Sequence, residues 1–293
     1  MEKPAESANE QATERNISRR RFLKWAALGL GTAAVAGAGY STLVEPWWIK
    51  INKYDIPIPD LPPALEGLRI VHLSDLHVGA VVSKSFIEDC ARDAAALNPD
   101  LVCITGDFVT RHAHFAKPCC EALSVMKPPL GTFAVPGNHD NWAGGAAVMG
   151  TIRDAGIKVL INDVAVVETR GAALAVAGLD DLWTGCPRID RVAAKLPAGV
   201  PNILMMHNPD LIEEFGEYRF GFVMAGHMHG GQVQIPLIGT LIVPSKLGAK
   251  YAAGFYEVGV NRLYVHKGVG LISPPVRFGT RPEIALFVLK QRT

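Results

Sequence analysis

Five of the nine histidines stand in short polar clusters with carboxylates or an asparagine: Asp75-x-His77, Asn138-His139-Asp140, His207 and His227-x-His229, with Asp107 in a Gly-Asp pair between the first two. Imidazole nitrogens and carboxylate or amide oxygens are the donors of divalent-metal sites, and the same groups move protons at reacting centres. Each cluster alone says little. Asp-x-His and Gly-Asp recur by chance, and a lone histidine behind a strand is commonly a satisfied structural residue. Their placement says more, because every cluster follows a short apolar run, and ligands of one site in an open α/β sheet gather at the carboxyl ends of strands.

Those apolar runs are Arg69–Leu73, Leu101–Thr105, Thr132–Val135, Ala173–Ala177, Ile203–Met206 and Phe222–Ala225, each bounded by Gly, Asp or Asn. Such runs predict buried strands. Between the first two, Ser83–Leu97 opens on a capping serine and keeps Phe86, Ile87, Cys90, Ala94 and Leu97 on one face, which is helical spacing. Phe255–Val260, Leu263–His266 and Ile284–Leu289 read as hairpin and closing strands, so parallel pairing comes first and antiparallel pairing afterwards. Pro57, Pro59, Pro62 and Pro63 mark Ile56–Pro63 as an extended linker.

In order, Asp75-x-His77, Gly106-Asp107, Gly137-Asn138-His139-Asp140, His207 and Gly226-His227-x-His229 resemble every element of the calcineurin-like metallophosphoesterase signature. The resemblance covers residues 69 to 289. Within that superfamily, His207-Asn208-Pro209-Asp210, Gly226-His227-Met228-His229-Gly230-Gly231-Gln232 and Arg277-Phe278-Gly279-Thr280-Arg281-Pro282-Glu283-Ile284 look most like an exported phosphodiesterase branch related to UDP-2,3-diacylglucosamine pyrophosphatases. Met228 departs from it where threonine is commoner; between two inward histidines its side chain should point away from the metals. The resemblance implies an α/β fold, a four-layer α/β/β/α sandwich of two mixed sheets.

It also implies roles. Asp75, His77 and His229 would hold one metal, Asn138, His207 and His227 a second, and Asp107 would bridge both. Four imidazoles, two carboxylates and an amide oxygen favour two divalent transition-metal ions, Mn, Fe or Zn, over Mg or Ca. Two such ions against two carboxylates leave a net +2 that selects a phosphate oxyanion, and a metal-bridging hydroxide would attack phosphorus near neutral pH. His139, beside the ligand Asn138, is assigned as the general acid for the leaving oxygen, with Asp140 orienting its ring.

Weaker candidates stand beside these. His112 and His114 read as a solvated loop pair, Asp180 and Asp181 as a turn or cap as much as cleft residues, and Trp142 as lining the substrate pocket or packing beneath it. No charged side chain occurs between His229 and Lys246, and Ile235–Val243 is nearly all apolar. A buried hairpin around Gly239 is the plainer reading of that run, and a surface for acyl chains or a membrane is the other.

Ser18-Arg19-Arg20-Arg21-Phe22-Leu23-Lys24 is similar to the twin-arginine export signal at each fixed position, and Ala26–Val44 behind it carries no charge. That signal implies export in a folded state by the twin-arginine machinery, to the periplasm or the outer face of the cytoplasmic membrane. Two fates stand open: cleavage at Ala36-Gly37-Ala38, or retention as an anchor with Trp47 and Trp48 at the membrane surface. The expected organisation is therefore residues 1–45 as signal or amino-terminal anchor, 46–66 as linker and 67–293 as the metallophosphoesterase domain.

Composition bounds the rest. With 49% hydrophobic residues and 29 Lys+Arg against 28 Asp+Glu, the chain has a core to bury and no polybasic field for nucleic acid. Five cysteines without paired spacing read as free, mostly buried thiols. The leading function is hydrolysis of a phosphodiester or pyrophosphate in a lipid-linked substrate. A soluble exported phosphomonoesterase or nucleotidase is the alternative, and a metal-binding interaction module on the same fold is the non-enzymatic one.

Overall fold

A computed structural model describes residues 19–240 and 243–292. The chain forms two compact units, one ending at Tyr40 and one beginning at Ser41. The first contains helix α1 (Arg19–Gly39), with no buried residue. By length and composition the helical stretch Arg19–Trp47 could cross a membrane. Ser18, the first residue of the export-like motif, lies outside the described residues.

The second unit holds two six-stranded sheets. In the first sheet, strands β1 (Lys50–Ile58), β2 (Arg69–Leu73), β3 (Leu101–Ile104), β4 (Thr132–Ala134) and β5 (Lys158–Val159) are joined by the last strand of the chain. The second sheet begins with β6 (Asp163–Thr169), β7 (Ala172–Gly178), β8 (Asn202–Met205) and β9 (Phe222–Ala225). A two-stranded hairpin follows, β10 (Gln234–Ile235) with β11 (Gly239–Thr240), and then β12 (Gly254–Val258) and β13 (Asn261–Val265) complete the second sheet. Strand β14 (Glu283–Gln291) returns to the first, giving orders β1-β14-β2-β3-β4-β5 and β12-β13-β9-β8-β7-β6. Both sheets are mixed, as the sandwich requires: β2, β3 and β4 run parallel, β14 runs antiparallel to β2, β8 lies parallel to β7 and β9, and β6–β7 and β12–β13 are antiparallel.

Alternation along the strands builds the layers. Ile70, Leu101, Cys103 and Phe133 of the first sheet meet Ile203, Met205, Phe222, Met224 and Tyr264 of the second in one buried cluster. The intervening residues Val71, Leu73, Val102 and Ile104 face outward under helices α2 (Lys84–Ala96), α3 (Ala116–Leu123) and α5 (Gly145–Asp154), which follow and precede the short α4 (Asn138–Trp142). Leu204, Met206, Val223 and Ala225 do the same beneath α6 (Ile189–Lys195). Helix α2 starts where its sequence predicts, with the Ser83 hydroxyl accepting the Phe86 N–H at 3.2 Å, and it buries Ile87, Cys90, Ala91 and Ala94.

The predicted linker is different. Lys50–Ile58 is a strand paired in parallel with β14 along its whole length, from Lys50 opposite Glu283 to Ile58 opposite Gln291. Pro57 is compatible because β1 is an edge strand, where a missing N–H leaves no ladder bond broken. All five cysteines are free; Cys90, Cys103, Cys119 and Cys120 are buried and Cys186 is exposed.

Candidate metal centre

The parallel strands end level, with Leu73 opposite Ile104, Ile104 opposite Ala134 and Met205 opposite Met224. The loops leaving these ends hold the polar clusters, and they bend sharply. Asp75, His77, Asp107, His227 and His229 all have positive φ, between 51° and 69°. Non-glycine residues in that region carry a conformational cost that the surrounding structure must offset, and such residues cluster at functional sites. Close packing explains two neighbours: a Cβ on Gly137 would lie 2.2 Å from Asp107 Oδ1, and one on Gly226 would lie 2.5 Å from Asp75 Oδ2.

The seven residues predicted as ligands converge with their donor atoms facing one another. On one side His229 Nε2 lies 3.1 Å from His77 Nε2 and 3.3 Å from Asp75 Oδ1. On the other, His207 Nε2 lies 3.1 Å from Asn138 Oδ1 and 3.2 Å from His227 Nδ1. A single oxygen, Asp107 Oδ2, touches both groups, 3.4 Å from His77 Nε2 and 3.2 Å from His207 Nε2. All seven are buried.

Tautomers are settled by the backbone. His207 Nδ1–H donates to the Thr105 carbonyl at 2.7 Å and His227 Nε2–H to the Pro244 carbonyl at 2.8 Å. The remaining nitrogens of these two rings face each other at 3.2 Å, where two lone pairs would repel; without a metal, and against burial, Asp107 raises His207 well above the usual imidazole range, and a proton on its Nε2 fills the place a cation would take. Separations of 3.1–3.4 Å are also the edges expected of a polyhedron with metal–ligand bonds of about 2.0–2.1 Å. The donor set therefore fits divalent cations.

Ionisation agrees. Burial pushes His77 down to about 3, against the pull of Asp107, and burial with the neighbouring His207 does the same to His227. Both are thus neutral ligands at any ordinary pH. Burial would raise Asp75 and Asp107, but the surrounding imidazoles, His229 for Asp75 and His207 for Asp107, hold both carboxyls below the usual range, so both stay anionic.

His139 sits at the edge of this group. Its Nδ1 is 2.7 Å from the Thr110 carbonyl, its ring meets His77 edge-on at 4.7 Å and Trp142 at 4.9 Å, and its backbone N–H donates to Asp107 Oδ1 at 2.9 Å. The Thr110 bond fixes the proton on Nδ1 and leaves Nε2 as the atom that can take up or release one. His139 also lies close enough to His77 and Asp107 for a ligand atom of each to share one ion.

Asp140 does not have the predicted ring-orienting contact. Its carboxylate is spent on backbone: Oδ1 accepts from Phe108 and Val109 at 2.9 and 3.2 Å, and Oδ2 from Asp107 and Gly137 at 2.9 and 3.0 Å. It ties the Asp107 loop to the Asn138 loop, and the acceptor that orients the His139 ring is Thr110 O. Burial and then the Asp107 charge push its carboxyl up to about 7, opposed by the N–H donors.

The weaker candidates separate. His112 and His114 stack on each other at 5.5 Å, outside the converging groups. Asp180 and Asp181 form a turn: Asp181 Oδ2 accepts from the N–H groups of Trp183 and Thr184 and from the Thr184 hydroxyl, and Asp180 Oδ2 accepts the Cys186 N–H. That turn places Trp183, which the sequence reading did not single out, edge-on against His227 at 4.4 Å. Trp142 is 59% exposed and Trp183 39% exposed, so neither is a core residue. Met228 is buried in the apolar cluster under the second sheet and is outside the converging groups. Arg277 is fully buried and donates to the carbonyls of Gly268, Gly270 and Thr280, while the Gly270 N–H bonds the Asp75 carbonyl at 2.7 Å. The closing motif thus braces the Asp75 loop from behind.

A family model described as calcineurin-like phosphoesterase matches residues 68–231. The chain is 32% identical over 285 residues to the metallophosphoesterase YkuE of Bacillus subtilis (strain 168), covering 94% of this chain and 99% of that one. It is 31% identical over 278 residues to the phosphodiesterase YaeI of Escherichia coli (strain K12), covering 93% and 99%. A transmembrane protein with metallophosphoesterase domain from Danio rerio is 31% identical over 277 residues, 89% of this chain and 61% of that protein.

Proposed function

The chain belongs to the calcineurin-like phosphoesterase family, and from that premise we propose that it cleaves phosphodiesters at a centre of two divalent cations. Asp75, His77 and His229 serve one ion, Asn138, His207 and His227 the other, and Asp107 both. The observation that carries this reading is the position of Asp107 Oδ2, within 3.4 Å of a donor in each group. When bound, the ions supply positive charge for a phosphate oxyanion and lower the pKa of the attacking water toward about 7.

The residues of the chain do the rest. The Thr105 and Pro244 carbonyls aim His207 Nε2 and His227 Nδ1 inward and Asp75 and Asp107 remain anionic, so a cation bound here takes the place of the His207 proton. As the water oxygen bonds to phosphorus and the ester P–O bond breaks, the leaving oxygen takes the proton on His139 Nε2. The Thr110 carbonyl keeps that ring oriented throughout.

The proposed substrate is lipid-linked. Support comes from the exposed apolar hairpin tip, with Leu237 fully exposed and Ile238 65% exposed, and from the apolar helix ahead of the folded unit. The plainer expectation for that hairpin, burial, is not what the described residues show. With the Arg19-Arg20 pair, these features support export of the folded chain and work at the outer membrane face, residues 1–45 being signal or anchor. The assay is hydrolysis of bis(p-nitrophenyl) phosphate against p-nitrophenyl phosphate with added Mn²⁺: the diester should be the better substrate and chelation should abolish turnover. A preference for the monoester would overturn the diesterase reading.

A further inference from the structure

A cavity of about 390 Å³ opens beside His229, and its walls come from three segments: Met228 with Gly231 to Val233, Val243 with Pro244, and Ile272 to Pro274 with Val276. Val233 directly precedes the hairpin whose tip exposes Leu237 and Ile238. The walls are mostly aliphatic, with the Ser273 hydroxyl as a polar exception, and both N–H groups of Gln232 are spent: Nε2 donates to the Ile272 and Pro274 carbonyls, while Oε1 accepts the Ile272 N–H. Among the described residues no charged side chain lines the space, and the aromatic ring that does is His229, already placed among the metal donors. A sugar or nucleobase entering it would lose hydration for few hydrogen bonds in return, whereas an aliphatic chain has no hydrogen bonds to lose.

Its place relative to the acid decides which part of a diester it would take. The rings run in contact from His139 to His77 at 4.7 Å and from His77 to His229 at 5.0 Å. The cavity is lined by His229, the third ring of this series, and His139 is not among its walls, so the ester group it would take is the one not facing the proposed acid. We infer that the cavity beside His229 is a subsite for an aliphatic ester group, the one that stays on phosphorus when the other is expelled. This rests on the diesterase reading above and adds which ester group is read, and by which walls.

The test uses the full chain loaded with Mn²⁺ and p-nitrophenyl alkyl phosphates with methyl, ethyl, propyl or butyl as the retained group, so that the leaving group is constant. Each buried methylene should raise kcat/KM by up to about 4-fold, mostly through KM. Val276→Glu and, separately, Val233→Glu put a carboxylate in the cavity wall and should flatten the series, with metal content reporting that the centre still assembles. A wild-type series flat from methyl to butyl, with the methyl ester turned over, overturns the subsite and leaves the diesterase intact. An unchanged slope in both variants with wild-type metal content also overturns it. Absence of turnover on every ester refutes the diesterase reading itself, and the subsite with it.

Discussion

Removing the His139 imidazole should separate two kinds of ester that share one metal centre. The ring is held by the 2.7 Å bond from Nδ1–H to the Thr110 carbonyl and by edge contacts with His77 and Trp142, and none of the seven proposed ligands depends on its side chain. His139→Ala should therefore keep both ions. It removes the only proton the account assigns to the leaving oxygen, an effect worth about 10²–10⁴-fold for general acids. That is roughly 3–5.5 kcal/mol of barrier. An alkyl or lipid alkoxide is strongly basic and should feel the whole loss. A p-nitrophenolate departs readily unaided, so its loss should stay below about 10-fold. The assay compares a dialkyl or lipid diester with bis(p-nitrophenyl) phosphate, alongside elemental analysis. Equal losses with both ions in place would assign His139 to phosphate binding or support. Loss of one ion would make it a ligand with His77 and Asp107, and the acid assignment would fall.

Asp140→Ala leaves the N–H groups of Asp107, Phe108, Val109 and Gly137 without their carboxylate, and at about 1–3 kcal/mol for each unsatisfied buried group it should lower the denaturation midpoint severely and abolish activity. A variant with wild-type stability would refute the loop-tying role. In metal-free protein, burial depresses His72, His77, His227 and His266, so the unfolded chain takes up protons below pH 6.5 that the folded chain refuses. Below 6.5 these four cost about 1.4 kcal/mol per pH unit each as pH drops, with raised Asp140 opposing by one proton; His207, which Asp107 raises against burial, acts the other way and its contribution is lost as pH rises above 6.5, so urea melts from pH 7 to 4 should show a net decline. Replacing Arg19 and Arg20 by lysine should retain the protein in the cytoplasm, and normal appearance in the periplasmic or membrane fraction would refute the export reading.

Most of the site could be read from the chain because each piece is local. A short apolar run specifies a buried strand, and the residues just past Leu73, Ile104, Met205 and Ala225 must emerge at its end; the meeting of these ends follows from parallel pairing. Helix α2 was legible for the same reason, its cap and apolar face lying within fifteen residues. What escaped was non-local. Strand β1 looks like a proline-rich linker because its strand partner among the described residues, β14, begins more than two hundred residues later. The function of Asp140 could not be seen because its partners are backbone N–H groups, which carry no residue-type signal, and the carbonyls of Thr105, Thr110 and Pro244 that orient three histidines are equally silent. The hairpin ending in Leu237 and Ile238 has the composition of a buried element, and only the fold shows that its tip has nothing to pack against among the described residues.

The central claim is that Asp107 serves two cations at once, and a titration of metal-free protein with Mn²⁺ tests it most directly. Bis(p-nitrophenyl) phosphate hydrolysis should climb to a plateau at two equivalents per chain. Asp107→Asn, which removes one charge facing both ions, should weaken binding by about 4 kcal/mol or more per ion, roughly a thousandfold, and leave almost no turnover. A plateau at one equivalent, or an Asp107→Asn chain that keeps two ions and wild-type turnover, would contradict the shared carboxylate.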